Sequence, residues 1–382
     1  MDVKVLLIVG QGAAERSESL GGTPIPLLDI LGASVLERVI SRLERLGVTG
    51  VSVITMAEQS AAGSRGNFRP NLQWVQAERA QLWRAAAHTF SEYCADGTDL
   101  ILAIRLGNYV EIDYEEFVQS HLDQKGRVTV ARRPDGEFLD AVIINGGRRN
   151  EGMYLLRNML REFRTPCKWH TVFGYVQPLL SAADIRLLAV DAFLGRNSIR
   201  PIGTEVRPGV WIGEGARVHR NARVLAPAFI GARSKVRAAA VVTRGSVLEH
   251  HCEVDCGTVV ENSTMLPYAY LGAGLDLSHS VLIGENLHNI PRAITVEIRD
   301  ARLIRSVSRN AASRTFASAF EMAAYLPRTL AHSVQRSFSD RDANGGRIES
   351  TPAALNATDQ VSEPANPEAS DTWVSARRYG NE

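Results

Sequence analysis

From Val206 onward an aliphatic residue returns at every sixth position: Val206, Ile212, Val218, Val224, Ile230, Val236, Val242, Leu248, Val254, Val260 and Leu266. Four residues after these stands a small or modest side chain, among them Ala216, Ala222, Ala228, Ser234, Ala240, Ser246, Cys252 and Thr258. One residue drops from the count after Leu266, and the series resumes as Leu271, Leu277 and Ile283. The pairs Ile212-Gly213, Ile230-Gly231, Leu271-Gly272 and Ile283-Gly284 punctuate it. A fixed period of six with one inward aliphatic per repeat predicts short strands wound as a triangular coil. Three hexads make a turn, and each aliphatic stacks on its counterpart about 18 residues away. An antiparallel sandwich would alternate every two residues, with turn clusters at about 8–12-residue spacing. The pattern therefore predicts a left-handed parallel β-helix over residues 200–290.

Residues 1–195 carry a different rhythm, in which buried strands alternate with amphipathic helices. Val3 to Val9 reads as a buried strand, Ser34 to Leu46 as a helix stopped by Gly47, and Val51 to Thr55 as the next strand, which together make a βαβ unit. A short strand from Leu72 to Val75 precedes a helix from Glu78 to Tyr93. Leu100 to Ile104 is a third apolar strand, Tyr114 to Gln124 a helix, and Val128 to Ala131 a further strand. The expectation is an α/β domain, Rossmann-like, with a mostly parallel sheet and with ligands at the carboxyl ends of its strands.

Between Ala301 and Ser337, six arginines (302, 305, 309, 314, 328 and 336) face one acidic residue, Glu321. Phe316, Phe320 and Ala324 fall on one helical face, so residues 291–337 are expected to be Arg-rich and partly helical, packed on the coil's open end. The sharper alternative is an arginine-rich surface for an acidic partner or membrane. Residues 338–382, dominated by Ser, Asn, Pro, Glu and Asp, are expected to form a disordered tail.

Composition narrows the function classes. Forty-three basic against 42 acidic residues leave a formal net charge of +1, so no global basic field favours nucleic acid or an anionic membrane. The longest purely aliphatic run, Val5 to Val9, is too short for a span and lacks the flanks of a secretory signal. Four scattered cysteines (94, 167, 252 and 256) do not make a disulfide scaffold, and the expected compartment is the cytoplasm.

The candidate chemistry begins right after the first strand, at Gly10-Gln11-Gly12-Ala13-Ala14-Glu15-Arg16. Its two glycines let backbone N–H groups approach phosphate oxygens, although the third glycine of a dinucleotide fingerprint would fall at Glu15. Pro24-Ile25-Pro26-Leu27-Leu28, then Gly32 and Val35-Leu36-Glu37, continue the pattern. In this order, ahead of a parallel sheet and a hexapeptide coil, residues 1–290 resemble the sugar-1-phosphate nucleotidyltransferases, the NDP-sugar pyrophosphorylases such as mannose-1-phosphate guanylyltransferase.

The resemblance implies a phosphate-binding arginine in the first loop, where Glu15 stands with Arg16 one place late, and a lysine where Ile25 stands. It implies a Mg²⁺-holding aspartate at Asn108 of Leu106-Gly107-Asn108; for the second metal carboxylate, Asp191 is the nearby candidate. The substrate loop reads Ala80-Gln81-Leu82-Trp83-Arg84-Ala85, and Asn150-Glu151-Gly152-Met153-Tyr154 resembles the family's sugar-side segment. Ligand-binding candidates are thus Gly10, Gly12, Gly107, Asn108, Asn150 and Gly152. Transfer onto a nucleotide α-phosphate depends on positioning and charge neutralisation, and an arginine, a lysine and a carboxylate are missing. The expected function is a catalytically impaired regulatory or nucleotide-sugar-binding subunit with no cofactor. The expected ligands are a nucleotide, nucleotide sugar or sugar phosphate, and the expected partners are a second copy or an active paralogue. The alternatives are an active, Mg²⁺-dependent sugar-1-phosphate nucleotidyltransferase and a hexapeptide acyltransferase.

A histidine general base would be needed for acyl transfer, and His219, His250, His251, His279 and His288 are the candidates on the coil. His250, His251, Cys252 and Cys256 also invite a zinc reading. The repeat phase answers it by placing Cys252 inward and the other three at outward corners.

Overall fold

Seven strands form the main sheet, and the chain's longest apolar runs supply its centre. The structure, a computed structural model, describes residues 1–9, 20, 23–56, 71–78, 81–147 and 168–307, and the backbone of 373–375. In chain order the first half contains β1 (Val3–Val9), β2 (Asp29–Ile30), β3 (Ala33–Ser34), α1 (Val35–Arg45), β4 (Gly50–Met56), β5 (Leu72–Ala77) and α2 (Leu82–Ala95). There follow β6 (Leu100–Arg105), β7 (Asn108–Val110), α3 (Tyr114–Asp123), β8 (Val128–Arg132), β9 (Phe138–Asn145), β10 (Lys168–Thr171), β11 (Val176–Pro178) and α4 (Ala182–Phe193). The sheet order is β10-β8-β9-β6-β1-β4-β5. It is mostly parallel, with β9 running against both β6 and β8.

Alternation along the central strands sends side chains to two cores. Leu6, Ile8, Ile101, Ala103, Val142 and Ile144 pack on Phe90 and Ala86 of α2. Val5, Leu7, Leu102, Ile104 and Ile143 face the opposite way, into a core shared with α1, α3 and α4. Helix α1 starts where expected because Ser34 and Glu37 form a reciprocal capping box. Helix α2 begins at Leu82, four residues later than the pattern suggested. Helix α4 and strands β9, β10 and β11 carried no sequence expectation.

Past Thr204 the chain builds three mainly parallel sheets and visits them in rotation. Val210 pairs with Ala228, Val218 with Val236, Val224 with Val242 and Ile230 with Leu248, so partners lie 18 residues apart. The aliphatic series from Ile212 to Val260 is buried in one continuous core. Small polar residues beside it bond from coil to coil. Ser234 Oγ donates to Glu249 O at 2.7 Å and accepts from Cys252 N at 2.9 Å, while Thr258 Oγ1 donates to Gly272 O at 2.5 Å.

The phase slips twice. Leu248 pairs with Met265, and Met265 with Leu282, so the inward residues are Met265 and Leu282 rather than Leu266 and Ile283. Each shortened turn lies at a corner with a left-handed residue, Asn262 or His279. The outward row Trp211, Phe229, Val247, Thr264 and Val281 shares one register column, and Phe229, Val247 and Val281 belong to the α/β core. This half of the molecule and the three-sheet stack therefore share hydrophobic surface, and all described residues belong to one compact unit.

Strands outside the hexad series extend the sheets: Asn286–Asn289, Ile294–Glu297 and Ile304–Ser306 add antiparallel strands to the stack, and Thr204–Arg207 does so at its start. Trp373–Ser375, expected within a disordered tail, pairs antiparallel with Arg217–His219. The physical reason is the same for all five, because a strand edge presents unpaired N–H and C=O groups that an added strand satisfies. The expected helical face of Phe316, Phe320 and Ala324, and the rest of the tail, lie outside the described residues.

Glycine after an inward aliphatic has a steric cause. A Cβ on Gly231 would sit 2.6 Å from the Glu249–His250 backbone, whereas one on Gly257 would meet nothing within 4 Å, its φ of +69° being the sole obstacle. Gly231→Ala is expected to destabilise by about 2–3 kcal/mol through displaced backbone, and Gly257→Ala by about 1 kcal/mol. Equal shifts in the chemical denaturation midpoint would contradict this assignment.

Candidate functional site

The carboxyl ends of β1, β4 and β6 lie on one edge of the sheet, where an open α/β sheet binds ligands. At that edge β6 ends in Arg105 and turns through Leu106-Gly107 into Asn108. The turn is held from both sides, since Leu106 N donates to Ile8 O at 3.0 Å and Gly107 O accepts from Leu179 N at 3.1 Å. Asn108 opens β7, pairs with Pro178 of β11 and is half-buried. The antiparallel strand β9 brings a further carboxylate here. Asp140 Oδ1 accepts from Arg105 Nη2 at 2.6 Å, and its other oxygen would lie 3.4 Å from a Cβ on Gly107. Burial pushes the Asp140 carboxyl up and Arg105 pulls it back down, with burial prevailing. Arg105 Nε is buried with no hydrogen-bond partner among the described residues.

Of the expected site residues, Gly107 and Asn108 stand on this edge. Ile25 does not present itself there. It begins a 3-10 turn over Ile25–Leu27 and is fully buried in the core beneath β1 and α1. Asp191 is equally committed, for it lies buried in α4, accepts from Tyr175 Oη at 2.6 Å and pairs with Arg196 Nη1 at 2.9 Å. The Tyr175 hydroxyl is pushed up by burial and by that carboxylate. Gly10, Gly12, Glu15, Arg16, Asn150 and Gly152 lie outside the described residues.

These groups do not suit a divalent cation. Asn108 brings no charge, Asp140 is held by Arg105 and Asp191 by Arg196, and among the described residues no group of three or more His, Cys, Asp or Glu side chains is placed to hold a metal.

Of the histidines on the stack, His250 is turned toward Asp29 rather than toward solvent. His250 is buried, with Nε2 3.0 Å from Asp29 Oδ2 and Nδ1 3.2 Å from His251 Nδ1. His219 is buried and accepts from Asn221 N at 3.1 Å; His288 Nδ1 is 2.8 Å from Thr295 Oγ1. Next to His250, the carboxylate of Glu249 is wholly buried and accepts from Leu31 N at 2.6 Å and Gly32 N at 2.9 Å.

Arg105, Asp140, Asp29 and Glu249 were not singled out by sequence reasoning. Their partners lie 35 to 221 residues away, and no local spacing signals them. No helix among the described residues is long and apolar enough to cross a membrane. No family model matches the chain, and no curated protein matches it.

Proposed function

We propose that the chain is a nucleotidyltransferase-like protein, related in design to the NDP-sugar pyrophosphorylases, that binds a nucleotide or nucleotide sugar at the sheet's carboxyl edge without turning it over. Its role is that of a regulatory subunit, partnered by a second copy or an active paralogue. The three-sheet stack is, in this reading, a left-handed parallel β-helix. Its 18-residue register and inward aliphatic column support that reading.

The observation that carries the loss of turnover is Ile25. Where the resemblance wants a phosphate-facing lysine, this chain has a side chain with no solvent exposure, closed into the core between Leu20 and Leu27. The cation is therefore not merely substituted; its place has become part of the packing. A charged hydrogen bond to phosphate contributes about 1.5–3 kcal/mol, which is more than tenfold in rate for each such group missing.

The test is direct. With nucleoside triphosphates, sugar 1-phosphates and Mg²⁺, the full chain is expected to release no pyrophosphate above background, and turnover near about 10 s⁻¹ would overturn the reading. By calorimetry, nucleoside diphosphate sugars are expected to bind weakly and without metal, through the Gly107 turn and the Arg105–Asp140 edge. Absence of heat at millimolar ligand, with the fold verified, would remove the binding role.

A further inference from the structure

The segment from Pro24 to Ser34 links the chain after β1 to helix α1, and its hairpin turn is fastened to the stack by ionisable groups. Glu249 uses both carboxylate oxygens, one on Leu31 N and one on Gly32 N. Asp29, at the start of the hairpin, reaches His250 Nε2, and His250 Nδ1 meets His251 Nδ1. The His251 ring stacks on Tyr268 with centroids 4.9 Å apart. From α1, Arg38 Nη2 donates to the Ile30 and Leu31 carbonyls at 2.8 and 3.3 Å. The Cys252 thiol lies on the stack side, deep in the core. The turn itself has no slack, because a Cβ on Gly32 would come within 2.9 Å of Ile202 Cβ.

We propose that Glu249 is a proton-sensitive latch, which holds the Ile30–Gly32 turn on the stack when protonated and loosens it as pH rises. The charge count gives the mechanism. With its proton on, the wholly buried Glu249 adds no charge beside Asp29. When that proton leaves, the Glu249 and Asp29 carboxylates repel each other, and Arg38 is the cation that reaches the turn.

The electrostatics point the same way. Burial and the neighbouring Asp29 push the Glu249 carboxyl up to about 8, against the two backbone N–H bonds and Arg38, which pull it down. Burial also lowers the Arg38 guanidinium from its ordinary value, but Arg38 stays charged throughout this pH range. A carboxyl that holds its proton more tightly in the closed state than in the open one stabilises closure at low pH. That stabilisation is lost as pH rises through the closed-state value, here between about 4.5 and 8.

The experiment is amide hydrogen exchange on the full chain at a series of pH values, with the protection of Leu31 and Gly32 read against that of Leu102 in β6. Protection at the two turn amides is expected to fall at least about tenfold relative to Leu102 between pH 6 and 8.5, tenfold per pH unit being the limit for one linked proton. Glu249→Gln is expected to flatten this profile. Asp29→Asn is expected to keep it but move its midpoint to lower pH, since the neighbouring negative charge is gone. If Glu249→Gln fails to fold, the wild-type profile and the Asp29→Asn midpoint still decide. Turn protection unchanged between pH 6 and 8.5, or an unmoved midpoint in Asp29→Asn, would overturn the latch.

Discussion

Val242→Asp is expected to unfold the three-sheet stack, while Val241→Asp, one residue earlier, leaves it standing. Val242 is fully buried in the inward column, paired with Val224 below and Val260 above, and those neighbours are apolar. A carboxylate there has no partner and no water, at a cost of about 4 kcal/mol or more. Val241 points outward and is half-buried, between Arg223 and Val259 in the parallel register. An aspartate in that place gains a cation beside it and loses some strand preference, for a net cost of about 1 kcal/mol. Circular dichroism and chemical denaturation separate the two outcomes. Equal loss of strand signal in both variants would mean that the six-residue phase is wrong at this point.

That phase was the most legible feature of the chain, because one residue per hexad is forced inward and nothing between can change places with it. It misled only where coils are a residue short, at Met265 and Leu282, since the sequence offers a plausible aliphatic on both sides of each slip. Leu266 looked inward by count, yet it packs in the α/β core together with Val281. Helix α4 was invisible for the opposite reason. It is closed in on several sides, burying Ile185, Leu188 and Ala189 and also Arg186 and Asp191, so no polar stripe marks a 3.6-residue period.

Arg186 shows what such burial requires. Its guanidinium reaches Gly245 O and Asn262 Oδ1, each at 2.6 Å, across the seam between α4 and the stack, and desolvation lowers it to about 10. The same limit applies to the candidate site. Gly107 and Asn108 could be placed from the strand that precedes them, because a turn at a strand's carboxyl end is local information. The Arg105–Asp140 pair exists only because β9 runs antiparallel beside β6, and strand pairing of that kind is decided by the whole sheet.

Ile25→Lys tests whether a charge can be placed at position 25, and the expected result is that it cannot. The side chain sits at zero exposure in the same core as Leu20, Leu27 and Val35, inside a 3-10 turn whose flanking prolines, Pro24 and Pro26, restrict how far the backbone can turn it outward. A lysine there must lose its proton or leave the core with its neighbours disturbed, so the fold is expected to lose about 4 kcal/mol at neutral pH. Ile25→Val, which removes one methylene, is expected to cost about 1 kcal/mol. The sign of the pH dependence identifies the cause. A buried lysine is more easily deprotonated in the folded chain than in the unfolded one, so the unfolded state binds more protons and stability rises with pH. The deficit of Ile25→Lys should therefore shrink by up to about 1.4 kcal/mol per pH unit above neutrality, while that of Ile25→Val stays constant. Denaturant unfolding at pH 7 and 9 reads this difference. An Ile25→Lys chain as stable as the wild type at pH 7, with tighter nucleotide binding, would show that position 25 faces the ligand edge after all, and the proposed loss of turnover would then need another cause.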